Sequence, residues 1–192
     1  MTITDSAGMN WAAPMLYAAP ASGSLPSQIN YEVTSGAALG PATVSIAGTG
    51  GISQNASVLL APVSPGLFEL NASGLAAAYV LRVSNGGAQP PAPDFQVVGN
   101  QLEPLAISLG PSTDLVSLEL LGTGISAAGA AGTAVTINGT PATVTSVGPS
   151  DSFPGLDEVV VVIPRSLSGA GSVPIALTAD AQAANTVYVT IQ

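Results

Sequence analysis

The stretch GLDEVVVVIPRSLSGAGSVPIALTADAQAANTVYVTI, residues 155–191, has an earlier counterpart in QINYEVTSGAALGPATVSIAGTGGISQNASVLLA, residues 28–61. Identity between the two is loose, but the pattern is shared. A strand ends at Val33 or Ile163, a Ser/Gly/Ala turn follows, a second strand runs through Val44 or Ile175, and an Asn (Asn55 or Asn185) opens a last strand. Self-similarity of this kind marks duplicated structural units. The predicted fold is all-β: two β-sandwich modules in tandem, residues 1–70 and 102–192, with 71–101 as an intermodule hairpin and Pro-rich loop.

Outward from the repeat, period-2 alternation or short β-branched runs recur, and helical patterning is nearly absent. Strands are expected over Thr2–Thr4, Met15–Ala19, Ile29–Val33, Ala42–Ile46, Ser57–Val63, Ala77–Val83, Phe95–Val98, Leu105–Leu109, Leu115–Leu121, Ala134–Ile137, Ala142–Val147, Val159–Ile163, Val173–Leu177 and Thr186–Ile191. Each is bounded by Gly, Pro, Asn or Ser, as sandwich strands are. Asn138-Gly139 lies between two such runs, and both residues tolerate positive φ, which predicts a tight hairpin. Asn85-Gly86-Gly87 followed by Gln89-Pro90-Pro91-Ala92-Pro93 reads as a long hairpin loop or as the join between modules.

Aligning the copies exposes an asymmetry. The second module has strands ahead of the shared hairpin, Leu105–Leu109 and Asp114–Gly122, whereas Met1-Thr-Ile-Thr4 already matches Val135-Thr-Ile-Asn138. The first module is therefore expected to lack its opening strands, leaving unpaired edge groups. The gap is filled by the segment Ala76–Val98, by a strand from another copy of the protein, or by nothing if the chain is a fragment.

Composition narrows the chemistry. Of 192 residues only Arg82 and Arg165 are basic, against eleven carboxylates, for a formal net charge of −9. A phosphate backbone repels such a chain, so no nucleic-acid partner is expected. Val159–Pro164 and the other apolar runs are far short of the roughly 18 residues of a membrane-spanning helix, so no membrane insertion is expected either. Cys, His and Lys are absent. That removes disulfides, thiol nucleophiles, imidazole and amine bases and the commonest zinc ligands. No catalytic residue, cofactor or metal ligand is expected, and the chain reads as no enzyme.

A carboxylate-only glycoside hydrolase needs just two Asp or Glu side chains, but the spacing of Glu32, Glu69, Asp94, Glu103 and Glu119 supports no pair. Asp157 and Glu158 are adjacent, so on a strand they point to opposite faces and read as solvated charges. Asp151 and Asp157 could bring oxygens to a calcium ion, but their spacing fits no dedicated loop. Trp11, Tyr17 and Tyr31 form the one aromatic cluster able to stack on a sugar or grip a partner.

The chain also resembles a known family, the Solibacter-type carboxy-terminal domain of acidobacterial secreted proteins. The resemblance is carried by Thr2-Ile-Thr-Asp-Ser-Ala-Gly8, Gln28-Ile-Asn-Tyr-Glu-Val33, Gly40-Pro-Ala-Thr-Val44, Val63-Ser-Pro-Gly-Leu-Phe68, Ala78-Tyr-Val-Leu-Arg-Val83, Leu121-Gly-Thr-Gly-Ile125, Gly155-Leu-Asp-Glu-Val159, Ile163-Pro-Arg-Ser-Leu167 and Ala184-Asn-Thr-Val187. It departs from that family in the longer loop Tyr17–Gln28 and in Ser168-Gly-Ala-Gly171, where the family commonly carries basic residues. The resemblance implies immunoglobulin-like modules of the IPT/TIG type and an extracellular or cell-surface location. A structural, adhesive or assembly role follows as an expectation, with self-association by strand complementation. The partner is a protein, itself or neighbouring domains of a host protein, with carbohydrate bound through Trp11 or Tyr17 as the alternative.

Overall fold

A computed structural model describes residues 1–23, 26–48 and 53–192. Residues 24 and 25 of the long Tyr17–Gln28 loop, and 49–52 within the first copy of the repeat, lie outside the described residues. Among the described residues, nearly all regular structure is antiparallel strand, with two short 3-10 turns and one helix of four residues, so the chain is all-β. It divides into two compact units, Met1–Pro62 with Ser152–Gly155, and Val63–Asp151 with Leu156–Gln192.

The first unit contains β1 (Thr2–Thr4), β2 (Asn10–Ala12), β3 (Met15–Ala19), β4 (Gln28–Tyr31), β5 (Gly40–Ala47) and β6 (Ser53–Leu60). Four of these form a sheet in the order β2-β1-β5-β6, and β3 pairs with β4 in a separate two-stranded sheet. Its core is small: Ile3, Ala13, Ala42 and Val44 are buried, with Met1, Tyr31, Val58 and Leu60 packed against them.

The second unit contains β7 (Gly66–Leu67), β8 (Ala78–Ser84), β9 (Gly87–Ala88), β10 (Ala92–Pro93), β11 (Phe95–Val98), β12 (Gln101–Pro104), β13 (Leu115–Thr123), β14 (Thr133–Ile137), β15 (Thr140–Pro149), β16 (Asp157–Val162), β17 (Gly171–Ala179), β18 (Gln182–Ala183) and β19 (Val187–Ile191). The strand path is β10-β8-β13-β16-β15-β14-β17-β18, with β19 on β17, β7 on β13 and β9 on β8. Strand β15 turns the corner. Its first residues, from Thr140, pair with β14, and those from Thr143 onward pair with β16, past a bulge between Val144 and Ser146. Bulges bend a strand in this way. Val116, Leu118 and Leu120 on β13 share one core with Val159 and Val161 on β16, Val173, Ile175 and Leu177 on β17, and Val187, Val189 and Ile191 on β19. The alternate placement of those side chains is the period-2 pattern read from the sequence.

The repeat is visible in strand register. Ile3 pairs with Val44 and Val44 with Ala56; Ile137 pairs with Ile175 and Ile175 with Val187. The same alignment puts Asn185 opposite position 54 of the first copy, so the two asparagines of the repeat fall one residue apart. The hairpin sheets correspond as well. A register shift between Met15 and Tyr17 on β3 matches that between Val144 and Ser146 on β15, which equates Tyr31 with Val161 and Ile29 with Val159.

Several expectations are revised. Gly66–Leu67, within the expected first module 1–70, pairs with Gly122 and Thr123 of β13. That approach is why Gly122 and Gly124 are glycines. A Cβ on Gly122 would lie 2.5 Å from the Gly66 carbonyl, and one on Gly124, at φ +68, would lie 2.2 Å from that of Ser64. Residues 71–101 are not a spacer between the units, because β8 lies against β13 along Ala78–Val83. The same pairing removes Ala76–Val98 as the filler of the first unit. Asn85-Gly86 closes the β8–β9 hairpin. Leu105–Leu109 forms no strand, only one bridge from Ile107 to Ile191. Arg165 Nη2 takes the Leu109 carbonyl at 2.8 Å and Nη1 that of Gly110 at 3.1 Å, so these groups are diverted from a ladder.

Candidate functional site

The β3–β4 hairpin sheet of the first unit differs from its counterpart in the second. In the second unit, β16 is covered on its far side by β13, with Leu118 opposite Val161 and Leu120 opposite Val159. Val159 and Val161 are 0% exposed there. In the first unit, among the described residues, β4 pairs with β3 alone. Ile29 and Tyr31, the counterparts of those valines, are only half-buried. Met15 at 59% and Tyr17 at 52% exposure stand on the neighbouring β3.

Local chemistry sets which groups face outward. The Glu32 N–H donates to the Pro14 carbonyl at 2.9 Å. In a regular strand alternate amides point opposite ways, so those of Ile29 and Tyr31 point away from β3. No residue of β4 is charged, and Gln28 Nε2 donates to Asn30 Oδ1 at 2.7 Å. The result is a short, neutral strand edge beside exposed apolar side chains.

Of the three aromatic candidates, Tyr31 packs on the small core beside this edge and Tyr17 is exposed across from Asn30. Trp11 is not with them. It sits on β2 opposite Ile3, and its Nε1 donates to Asp5 Oδ2 at 2.7 Å. The indole lies against Gly36, where a Cβ would come within 2.9 Å of Trp11 Cη2. Asp5 also accepts from the amides of Ala7, Met9 and Ala38. Those bonds, Ala38 first and Trp11 next, hold its carboxyl down to about 2. The Trp11 ring thus locks a turn and is half-buried.

The carboxylates prominent in the sequence are built into the fold. Asp157, expected to be solvated, is buried, and its Oδ2 accepts from the amides of Ile125 at 2.7 Å and Ser126 at 3.0 Å. It satisfies the donors that open a 3-10 turn. Parity could have revealed this: Val159 and Val161 face inward, so Asp157 does too. Asp94 is 2% exposed, and neither of its oxygens makes a hydrogen bond. Burial pushes its carboxyl up to about 7. Glu119 on β13 and Glu158 on β16 approach diagonally across the strand pair; burial first, then the Glu158 charge and a hydrogen bond between the two carboxyls, push Glu119 up. Arg82 pairs with Asp114 at 2.9 Å and also donates to the Ser108 carbonyl. Both arginines are therefore engaged internally.

Among the described residues there is no group of three or more His, Cys, Asp or Glu able to hold a metal. An open hollow of about 350 Å³, lined by Val80, Arg82, Pro93, Leu105, Ile107 and Ser108 among others, has no carboxylate in its wall. No helix among the described residues is long and apolar enough to cross a membrane. No family model matches the chain, and neither a curated protein nor a solved structure matches it.

Proposed function

We propose that this chain is a non-enzymatic structural, adhesive or assembly module of a secreted or cell-surface bacterial protein. It is built as two immunoglobulin-like sandwiches of the IPT/TIG type in tandem, the first without its opening strands. The observation that carries this reading is the outer edge of β4, bare where the equivalent β16 is covered by β13. Open edges accept strands from other chains unless a protein blunts them, and β4 carries no charge or proline to do so.

Several features support a holding role over a chemical one. With no imidazole, thiol or amine side chain, proton and acyl transfer would fall to carboxylates. Asp5 and Asp157 are committed to backbone amides, and Asp94 is sealed from solvent. The shared strand register and shared bulge favour two copies of one sandwich design, in keeping with the resemblance to the Solibacter-type domain.

Light scattering over a concentration series tests the reading. Species heavier than the 18.7 kDa chain, increasing with concentration, are expected. A mass fixed at one chain throughout would remove self-assembly, and turnover of a chromogenic glycoside would remove the non-enzymatic assignment.

A further inference from the structure

We propose that the β11–β12 hairpin is a flap gated by pH, with Asp94 as its latch: it lies closed on the second unit while the Asp94 carboxyl is protonated, and swings away about its base at Asp94 and Leu105 when that carboxyl ionises. The flap goes beyond the assembly reading and stands whether or not the chain associates.

The hairpin is lightly attached. It forms a two-stranded sheet of its own, Phe95–Val98 against Gln101–Pro104, off the main strand path of the second unit. From Tyr79 to Ala106 a single residue is buried, and it is Asp94. Phe95 and Leu102 are half-buried, while Val97 and Val98 are exposed. The Leu105 N–H donates to the Asp94 carbonyl at 2.8 Å and closes the base. Among the described residues, two hydrogen bonds tie the hairpin and this base to the body: Asn71 Nδ2 donates to the Leu102 carbonyl at 2.9 Å, and the Asp94 N–H to the Ala78 carbonyl at a long 3.4 Å. Pro93, just ahead, has no N–H to add. A segment with so few buried apolar contacts opens locally without unfolding the rest.

The side chain of Asp94 is the anchor that depends on charge. Both its oxygens are sealed from water and make no hydrogen bond. The charged and titratable groups on the elements around it are Glu69 ahead of β8, Tyr79 and Arg82 on β8, Glu103 on β12 and Tyr188 on β19, which lies beside Pro104. None of them bonds to Asp94, and Arg82 is spent on Asp114. Lost hydration is what raises the Asp94 carboxyl, against its own amide and that of Ala78, which lower it. Ionised under a closed flap, the group has neither water nor a counter-charge, the costly state for a buried carboxylate. Opening restores its hydration and gives up two hydrogen bonds and the half-burial of Phe95 and Leu102. The closed carboxyl titrates at about 7 and the open one at the ordinary 3.8. Closure is therefore firm below 3.8, loosens as pH rises from there towards about 7, and changes no further above that.

Amide hydrogen exchange of the full chain across this pH range, corrected for the intrinsic rate at each pH, tests the flap. Protection at Leu105 and along the hairpin is expected to fall by roughly tenfold per pH unit between about 4 and about 7 and then to level off. The hairpin's own ladder reports the opening too, since a lone two-stranded hairpin is marginal in water. Low concentrations of urea should leave this exchange unchanged, because the flap exposes little surface, whereas the core amides of Leu118 and Val161 should be far better protected and respond to urea. Asp94→Asn is expected to make the hairpin's protection independent of pH. If that variant does not fold, shown by circular dichroism, the wild-type pH profile and its response to urea decide. Three results overturn the proposal: hairpin protection in the wild type that does not change with pH, hairpin amides that share the protection and urea response of Leu118 and Val161, or an Asp94→Asn chain that keeps the wild-type pH profile.

Discussion

Replacing Asp94 by Asn should stabilise the second unit in a way that depends on pH. The Asp94 side chain is buried at the junction of β10 and β11, both oxygens lacking hydrogen bonds. Loss of hydration raises its carboxyl from the ordinary value of 3.8 to about 7, offset in part by the amides of Asp94 and Ala78, which lie near it without reaching hydrogen-bond geometry. A carboxyl raised in the folded state is neutral there while ionised in the unfolded chain, so stability is highest below the unfolded value. Stability falls as pH rises from 3.8 towards about 7, and the full penalty applies above that. At about 1.4 kcal/mol per unit the shift corresponds to about 4 kcal/mol, and residual solvent screening reduces this to about 2–4 kcal/mol. Asn keeps the shape and cannot ionise, and its own cost of burial does not vary with pH. In urea unfolding followed by circular dichroism, the advantage of Asp94→Asn should therefore grow between about pH 4 and about pH 7 and then level off. An advantage of the same size at both ends of that range refutes the reasoning.

Asp5 has the opposite sign. Its carboxyl is held down to about 2, so its contribution is present above the ordinary value of 3.8 and lost as pH falls through that window. Acid unfolding read by Trp11 fluorescence should show a step there in the wild type and none in Asp5→Asn. Asp157→Ala strands the amides of Ile125 and Ser126 and should cost about 1–3 kcal/mol in urea unfolding. Gly124→Ala forces a Cβ to 2.2 Å from the Ser64 carbonyl at a left-handed φ of +68; a loss of about 2–4 kcal/mol is expected from the same assay.

Much of the fold was legible because its strands bury one face at a time. The alternation of Val159, Val161 and Ile163, and of Val173, Ile175 and Leu177, survives directly as the core. Asn138 at φ 50 and Gly139 at φ 73 form the expected turn. Strand β2 was missed because Asn10-Trp11-Ala12 is too short to show a period, and its place is set by Asp5 gripping the indole. Leu105–Leu109 misled because its apolar residues do enter the core, at Ile107 and Leu109, while the carbonyls of Ser108 and Leu109 accept from the side chains of Arg82 and Arg165. Comparing the two copies suggested an open edge in the first module. That this edge is β4 was not visible, because the sheet containing β4 is defined by pairing across the bulge at β3. The burial of Asp94 has no sequence signal, since nothing in its Pro-rich surroundings marks an inward side chain.

Native-state hydrogen exchange of the chain alone tests the central claim most directly, by comparing Ile29 and Tyr31 on β4 with Val159 and Val161 on β16. The account predicts slow exchange at the two valines, sealed under β13, and rapid exchange at Ile29 and Tyr31 on the bare edge. Equal protection at both pairs in dilute protein would contradict it.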